Sequence, residues 1–259
     1  RITIINEFGR QITEYVLDFP FYRSKDPTRR IFVDDFDGDR RKEALCVLSD
    51  SRYQNPSSRF NRMHFLSFDN EGRYRFRFIL DCEEMLDDQI LPGERDFPIG
   101  INRESGIFRD HNGKKRFLAI THHASRKPAA VLNLSLEDFS SQIFLHEGYL
   151  HNMALNDVDD DGIDDIVLSG YNNVLGSCVL VVLDQRQMNG TSPEGANYEL
   201  EGFEDIAKYY LTFPDFYRYI PFDKNDWLPL TPKVKNTKDG LTFTVRNYGN
   251  DVNFYLHSG

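Results

Sequence analysis

Six aspartates crowd into nine residues at Asp157-Val158-Asp159-Asp160-Asp161-Gly162-Ile163-Asp164-Asp165, and the apolar run Ile166-Val167-Leu168 comes directly after. So many like charges in one bend repel each other at short range. Counted from Asp157, carboxylates fall at positions 1, 3, 5 and 9: Asp157, Asp159, Asp161 and Asp165. A hard divalent cation that gathers roughly six to eight oxygen ligands in flexible geometry removes the repulsion. Gly162 stands where the backbone must turn sharply, which a residue without a Cβ does at low steric cost. The segment reads as a calcium loop.

The residues on the C-terminal side of the loop decide its kind. A helical EF-hand needs a bidentate Glu at about position 12, inside a helix. Leu168 stands there, within a run that reads as a buried strand. This loop therefore closes early, on position 9, and joins two strands. Asp35-Phe36-Asp37-Gly38-Asp39-Arg40-Arg41-Lys42-Glu43 repeats the pattern, with acids Asp35, Asp37, Asp39 and Glu43, and the strand Ala44-Leu45-Cys46-Val47-Leu48 after it. Two segments sharing one departure from the EF-hand make a specific signal.

The net charge of −10 argues against a nucleic-acid partner, which calls for a basic footprint; two calcium ions would still leave the chain at −6. No stretch approaches the roughly 18 apolar residues of a membrane-spanning helix. The chain begins at Arg1 without a signal peptide, as a trimmed chain or a piece of something larger would. Cys46, Cys82 and Cys178 do not make a disulfide framework, and two of them lie in apolar strands as small hydrophobes. Open loops of this kind bind calcium weakly, which suits an extracytoplasmic setting: periplasmic, secreted or cell-surface.

The remaining patterns predict strands. Ile2–Asn6 and Gln11–Leu17 form a hairpin around Glu7-Phe8-Gly9-Arg10. Met63–Phe68 is followed by a turn at 69–72, then by Arg73-Tyr74-Arg75-Phe76-Arg77-Phe78, whose alternation puts aromatics inward and arginines outward. Cys82 to Leu91 reads as a short helix or a structured loop. Ile107 to Thr121 repeats strand–turn–strand around Asp110-His111-Asn112-Gly113, where Lys114-Lys115-Arg116 replace the acids; this copy is expected to have lost its metal. Pro128–Leu134, Gln142–Leu145, Ser177–Asp184, Leu241–Arg246 and Asn253–Leu256 complete the set.

Strands beginning near 43, 116, 165 and 240 are spaced by 73, 49 and 75 residues, and the acidic loops are 122 apart, or two units of 61. Units of this length built from short strands suggest an all-β propeller-like array. The acidic loops, each framed by strands, resemble the FG-GAP/VCBS repeats of integrin-type β-propellers. That resemblance implies one domain over 1–259, of about four blades: 1–30 with 200–259, 31–104, 105–148 and 149–199. It implies calcium bound between the strands of a blade by Asp35, Asp37, Asp39 and Glu43, and by Asp157, Asp159, Asp161 and Asp165.

Catalytic chemistry is sparse. Five of the seven histidines (His111, His122, His123, His146, His151) fall within 41 residues, but scattered surface and strand positions account for them as well as a site does. His146-Glu147-Gly148-Tyr149-Leu150-His151 spaces its histidines one too far apart for the zinc-protease helix motif. No P-loop, dinucleotide glycine motif or nucleophile elbow is present. Nine aromatics between Phe203 and Trp227 read as an inter-blade connection packed inward, or as a recognition surface for sugar or peptide. The loop 189–197 is positioned to reach a ligand, and Asn133 and Asn189 fit the glycosylation sequon. The expectation is a non-catalytic, calcium-stabilised domain that recognises a protein or carbohydrate ligand. A calcium-dependent polysaccharide lyase or glycoside hydrolase, its cleft lined by the histidine-rich middle and the arginines at 73, 75 and 77, is one alternative. A sensor module of a larger signalling protein is another.

Overall fold

A computed structural model of the chain describes residues 1–5, 8–17, 31–49, 62–81, 99–101, 105–123, 129–172, 174–192, 204–213, 233–237, 240–247 and 250–256. Every regular element among them is a β-strand, as the apolar runs and turn signals predict. The chain divides into two compact units, residues 1–100 with the turn 136–139, and residues 101–135 with 140–259.

In the first unit, β1 (Ile2–Ile5) and β2 (Gln11–Tyr15) pair as an antiparallel hairpin. The strands β3 (Ile31–Asp34), β4 (Glu43–Ser49), β5 (Arg62–Phe68) and β6 (Tyr74–Asp81) form a four-stranded antiparallel meander in chain order. A two-stranded hairpin is marginal by itself in water. Here its inner residues Ile2, Ile4 and Tyr15 pack on the buried Cys46, Leu66 and Phe68 of the meander. Tyr15 stacks on Tyr74 with ring centroids 4.9 Å apart and meets Phe68 edge-on at 5.9 Å. The alternation expected of β6 is blurred, because Tyr74 is 42% exposed while Arg77 is half-buried and donates to His64 Nδ1 at 3.0 Å.

β7 (Ile99–Ile101) straddles the division at residue 100, and the second unit continues with β8 (Gly106–Arg109), β9 (Lys115–His123), β10 (Ala129–Ser135) and β11 (Ser141–His146). Next come β12 (Gly148–Asn156), β13 (Asp165–Asn172) and β14 (Ser177–Leu183). The short β15 (Gly190–Thr191) returns to pair in parallel with β11, and β16 (Ala207–Phe213) adds to the edge of β14. β17 (Lys233–Thr237), β18 (Gly240–Asn247) and β19 (Asn250–Leu256) form a separate three-stranded sheet. A second four-stranded antiparallel sheet thus runs β12-β13-β14-β16. Its last strand comes from the aromatic-rich stretch near 210. Tyr210 and Phe213 are partly buried there while Tyr209 is 45% exposed; the other six aromatics of that stretch lie outside the described residues.

The runs at 166–168 and 178–183 look continuous because this sheet is buried on both faces. Ile166, Leu168, Val179, Val181 and Leu183 enter one cluster with residues of β9, β10 and β11. The alternate residues Val167, Cys178, Leu180 and Val182 enter another with Val234, Leu241 and Phe243 of β17 and β18. A strand with two apolar faces loses the period-2 signature and reads as an unbroken hydrophobic stretch. The two described cysteines, Cys46 and Cys178, are buried, and burial pushes the Cys46 thiol up to about 11.

At the end of the β12–β13 pair away from the acidic loop the two backbones approach closely. A Cβ on Gly170 would collide with the backbone oxygen of Tyr149, and one on Gly148 with that of Tyr171. Only glycine fits such an approach, and the register shift at Leu150/Asn152 lies beside it. Gly170→Ala should lower unfolding stability by at least about 2 kcal/mol in a urea titration, the scale of an overpacked core site.

Candidate metal centre

The two acidic loops occupy the same place in their sheets. One joins β3 to β4 and the other β12 to β13, the first two strands of each four-stranded meander. Their internal bonding corresponds at the donors from positions 6 and 7 and differs at the other donor to the first acid, which is position 4 in one loop and position 5 in the other. The first acid accepts backbone N–H groups from across the bend: Gly38 at 2.7 Å and Arg40 at 3.1 Å on Asp35, Asp161 at 3.1 Å and Gly162 at 2.8 Å on Asp157. The position-5 acid takes the N–H two residues on, Arg41 on Asp39 at 2.7 Å and Ile163 on Asp161 at 2.9 Å.

Positions 4 and 6 of both loops have left-handed backbones, with φ of 83° at Gly38 and 70° at Arg40, 59° at Asp160 and 83° at Gly162. The loops thus share a shape but place their one glycine differently. Asp tolerates this conformation better than most side chains, whereas Arg40 is held there against its preference.

Carboxylate oxygens of Asp35, Asp37 and Asp39 lie within 4.8 Å of one another, as do those of Asp157, Asp159 and Asp161. Two oxygens sharing one calcium ion at about 2.4 Å can be no more than about 4.8 Å apart, so either triad meets the spacing that one shared ion requires. The position-9 acids are not in these groups. Glu43 and Asp165 are each 2% exposed and accept the N–H of the residue after the first acid, Phe36 at 2.6 Å and Val158 at 3.2 Å. They act as clamps across the neck of the hairpin. Burial raises the pKa of both, and at Glu43 the nearby Asp37, Asp39 and Asp35 raise it further.

The loops differ in counter-charge. Among the described residues the one cation bonded to the first triad is Arg75, whose Nη1 is 3.2 Å from Asp37 Oδ2. In the second loop Lys208 Nζ lies 2.6 Å from Asp159 Oδ2 and 3.0 Å from Asp165 Oδ1, and Arg186 Nη2 lies 3.0 Å from Asp161 Oδ2. The hydrogen bond from Lys208 holds Asp159 below the usual carboxylate range, whereas burial outweighs the same partner at Asp165. Neither Lys208 nor Arg186 was marked by the sequence, since both join the loop from strands or turns further along the chain.

The turn at 110–113 has a different character from the acidic loops. Asp110 Oδ1 accepts from Asn112 and Lys114 at 2.9 and 3.0 Å, and Gly113 donates to Asp110 O at 2.8 Å. The turn at 69–72 repeats this plan, with Glu71 and Arg73 on Asp69 at 3.0 and 2.7 Å and Gly72 on Asp69 O at 2.9 Å. Segment 110–113 is therefore a tight one-acid hairpin turn of the 69–72 kind. Its likeness to the long loops lies in composition alone.

Among the described side chains the histidines do not assemble. His111 and His151 are exposed, while His146 is buried with Nε2 3.1 Å from the Tyr210 hydroxyl; the side chains of His122 and His123 lie outside the described residues. His146 ends β11 and Gly148 begins β12, so the stretch to His151 is extended, as its spacing implied. The arginines at 73, 75 and 77 are occupied too: Arg73 pairs with Asp69 and Glu71, Arg75 with Asp37, and Arg77 with His64. Asn133 is fully buried and bonded to Arg116 and Gln142, which closes it to glycosylation in the folded chain. Asn189 and β15 build sheet, with Asn189 Oδ1 accepting from Ile143 N at 2.9 Å; residues 193–197 of that loop, like 82–91, lie outside the described residues.

No model of a known protein family matches the chain, and no curated protein matches it.

Two outcomes are expected. Glu43→Ala strips the buried Phe36 N–H of its acceptor and should lower stability by about 1–3 kcal/mol in denaturant titrations. Burial pushes the His146 imidazole down to about 4 from its ordinary 6.5. Unfolding then takes up a proton at intermediate pH, so this contribution is complete above about pH 6.5 and lost as pH falls toward about 4. In urea melts the stability of the native chain relative to His146→Gln should shrink between about pH 7 and pH 4.5.

Proposed function

We propose that this chain is a non-catalytic calcium-binding β-propeller-type domain, acting outside the cytoplasm in recognition of a protein or carbohydrate ligand. The calcium is structural. It ties down a hairpin bend and cancels the repulsion of carboxylates brought together there. The observation that carries the reading is the convergence of Asp35, Asp37 and Asp39 to within 4.8 Å, with Arg75 the one cation ion-paired to them among the described residues while Arg40, Arg41 and Lys42 of the same bend stand exposed. Repetition of the same loop geometry at 157–165, in the equivalent hairpin of a second four-stranded sheet, supports a repeated blade-like unit.

A calcium-assisted lyase or hydrolase is less well supported. The arginines that would grip an acidic sugar already hold partners, and the described histidines are dispersed.

Calcium in excess over chelator should raise the melting temperature of the whole chain. Asp37→Ala should remove most of that gain and weaken calcium binding in calorimetry at least about tenfold, a loss of about 1.4 kcal/mol or more. An identical melt in calcium and in chelator would defeat the proposal.

A further inference from the structure

We infer that Lys208 takes the cation's place in the second acidic loop, so that the chain's own ammonium closes this loop and only the first is left for a metal ion. The inference rests on the calcium reading of the first loop and departs from the expectation of two equivalent ions.

Every acid that the second loop would offer to an ion is already engaged. Lys208 Nζ reaches Asp159 Oδ2 at 2.6 Å and both oxygens of Asp165, at 3.0 and 3.2 Å. Arg186 holds Asp161 at 3.0 Å, and Asp157 accepts the N–H groups of Asp161 and Gly162. Asp165 is 2% exposed, and a carboxylate so buried is stable as an anion only with a charge partner or strong donors. Lys208 is that partner. Glu43, its counterpart, has among the described residues the Phe36 N–H alone. A divalent ion and an ammonium bonded to the same carboxylates compete for the oxygens and repel each other.

The backbone is arranged for this role. β14 and β16 pair with Val182 opposite Tyr209 and Leu183 opposite Ala207, so Lys208 is the extra residue of a bulge. Bulges re-aim the side chain they carry. The bulge falls at Leu183, which pairs with Ile166 next to Asp165 at the loop end of β13.

Calcium titration calorimetry on the whole chain, stripped of metal, tests the inference. The native chain should bind one ion, abolished by Asp37→Asn. Lys208→Met should bind a second ion, at least about tenfold tighter than any residual binding by the native loop. That ion should vanish again in Lys208→Met with Asp159→Asn. Two ions on the native chain, or one ion on both the native chain and Lys208→Met, would overturn the assignment of Lys208 while leaving calcium at the first loop intact. If no protein binds calcium, the calcium reading fails by itself, and melts in chelator decide the role of Lys208. Lys208→Met should then melt lower than the native chain, and adding Asp159→Asn should restore part of the loss. Additive losses would overturn it. Lys208→Gln substitutes in every arm should the Met variant not fold.

Discussion

A sheet buried on both faces has nowhere to put charge except at its ends. β13 and β14 send alternate residues into two separate apolar clusters. Polar and ionised side chains are thereby driven into the bends, where the backbone also needs acceptors for its unpaired N–H groups. Aspartate meets that need well, because a carboxylate accepts two or more N–H donors at once. The cost is repulsion among the aspartates. The acidic loops are the outcome: bends whose own amides consume much of the carboxylate valence, and whose remaining charge calls for a cation.

The two loops meet that demand differently while keeping the same backbone path. Left-handed residues fall at positions 4 and 6 in both, and the clamp from position 9 to the second residue is common to both. The source of positive charge is the difference. Arg75 touches the edge of the first triad, whereas Lys208 and Arg186 reach into the second from other strands and turns. Position 9 carries Glu in one loop and Asp in the other, so the longer side chain spans the neck of the first hairpin.

Most of the strand content was legible in the amino-acid sequence, because apolar runs bounded by Asp, Gly and Asn carry their own punctuation. The hairpin at 2–15, the runs at 44–48, 63–68, 129–134 and 166–168, and both acidic loops arise from local pattern. A strand before the second acidic loop was implied by a loop that joins two strands, but the extent of β12 was not legible, because His151 and Asn152 break its apolar run. β16 was hidden as well, its aromatic, aliphatic and polar residues mixed along a half-exposed edge. The equivalence of the turns at 69–72 and 110–113 was obscured by acids and bases that do not shape either turn. The charge partners of the second loop were out of reach of any local reading, since Lys208 lies 43 residues from Asp165 along the chain.

That separation bears on the order in which the second unit assembles. A hairpin such as β12–β13 closes through near neighbours, while β16 must cross a long stretch of chain to dock on β14. The bend between β12 and β13 therefore forms while its aspartates still lack their ammonium. Early in folding it is a centre of uncompensated negative potential, and that potential draws the β16 segment toward the edge it completes. Mobile ions in the solvent screen this attraction, so electrolyte concentration sets how strongly the bend guides the late strand home.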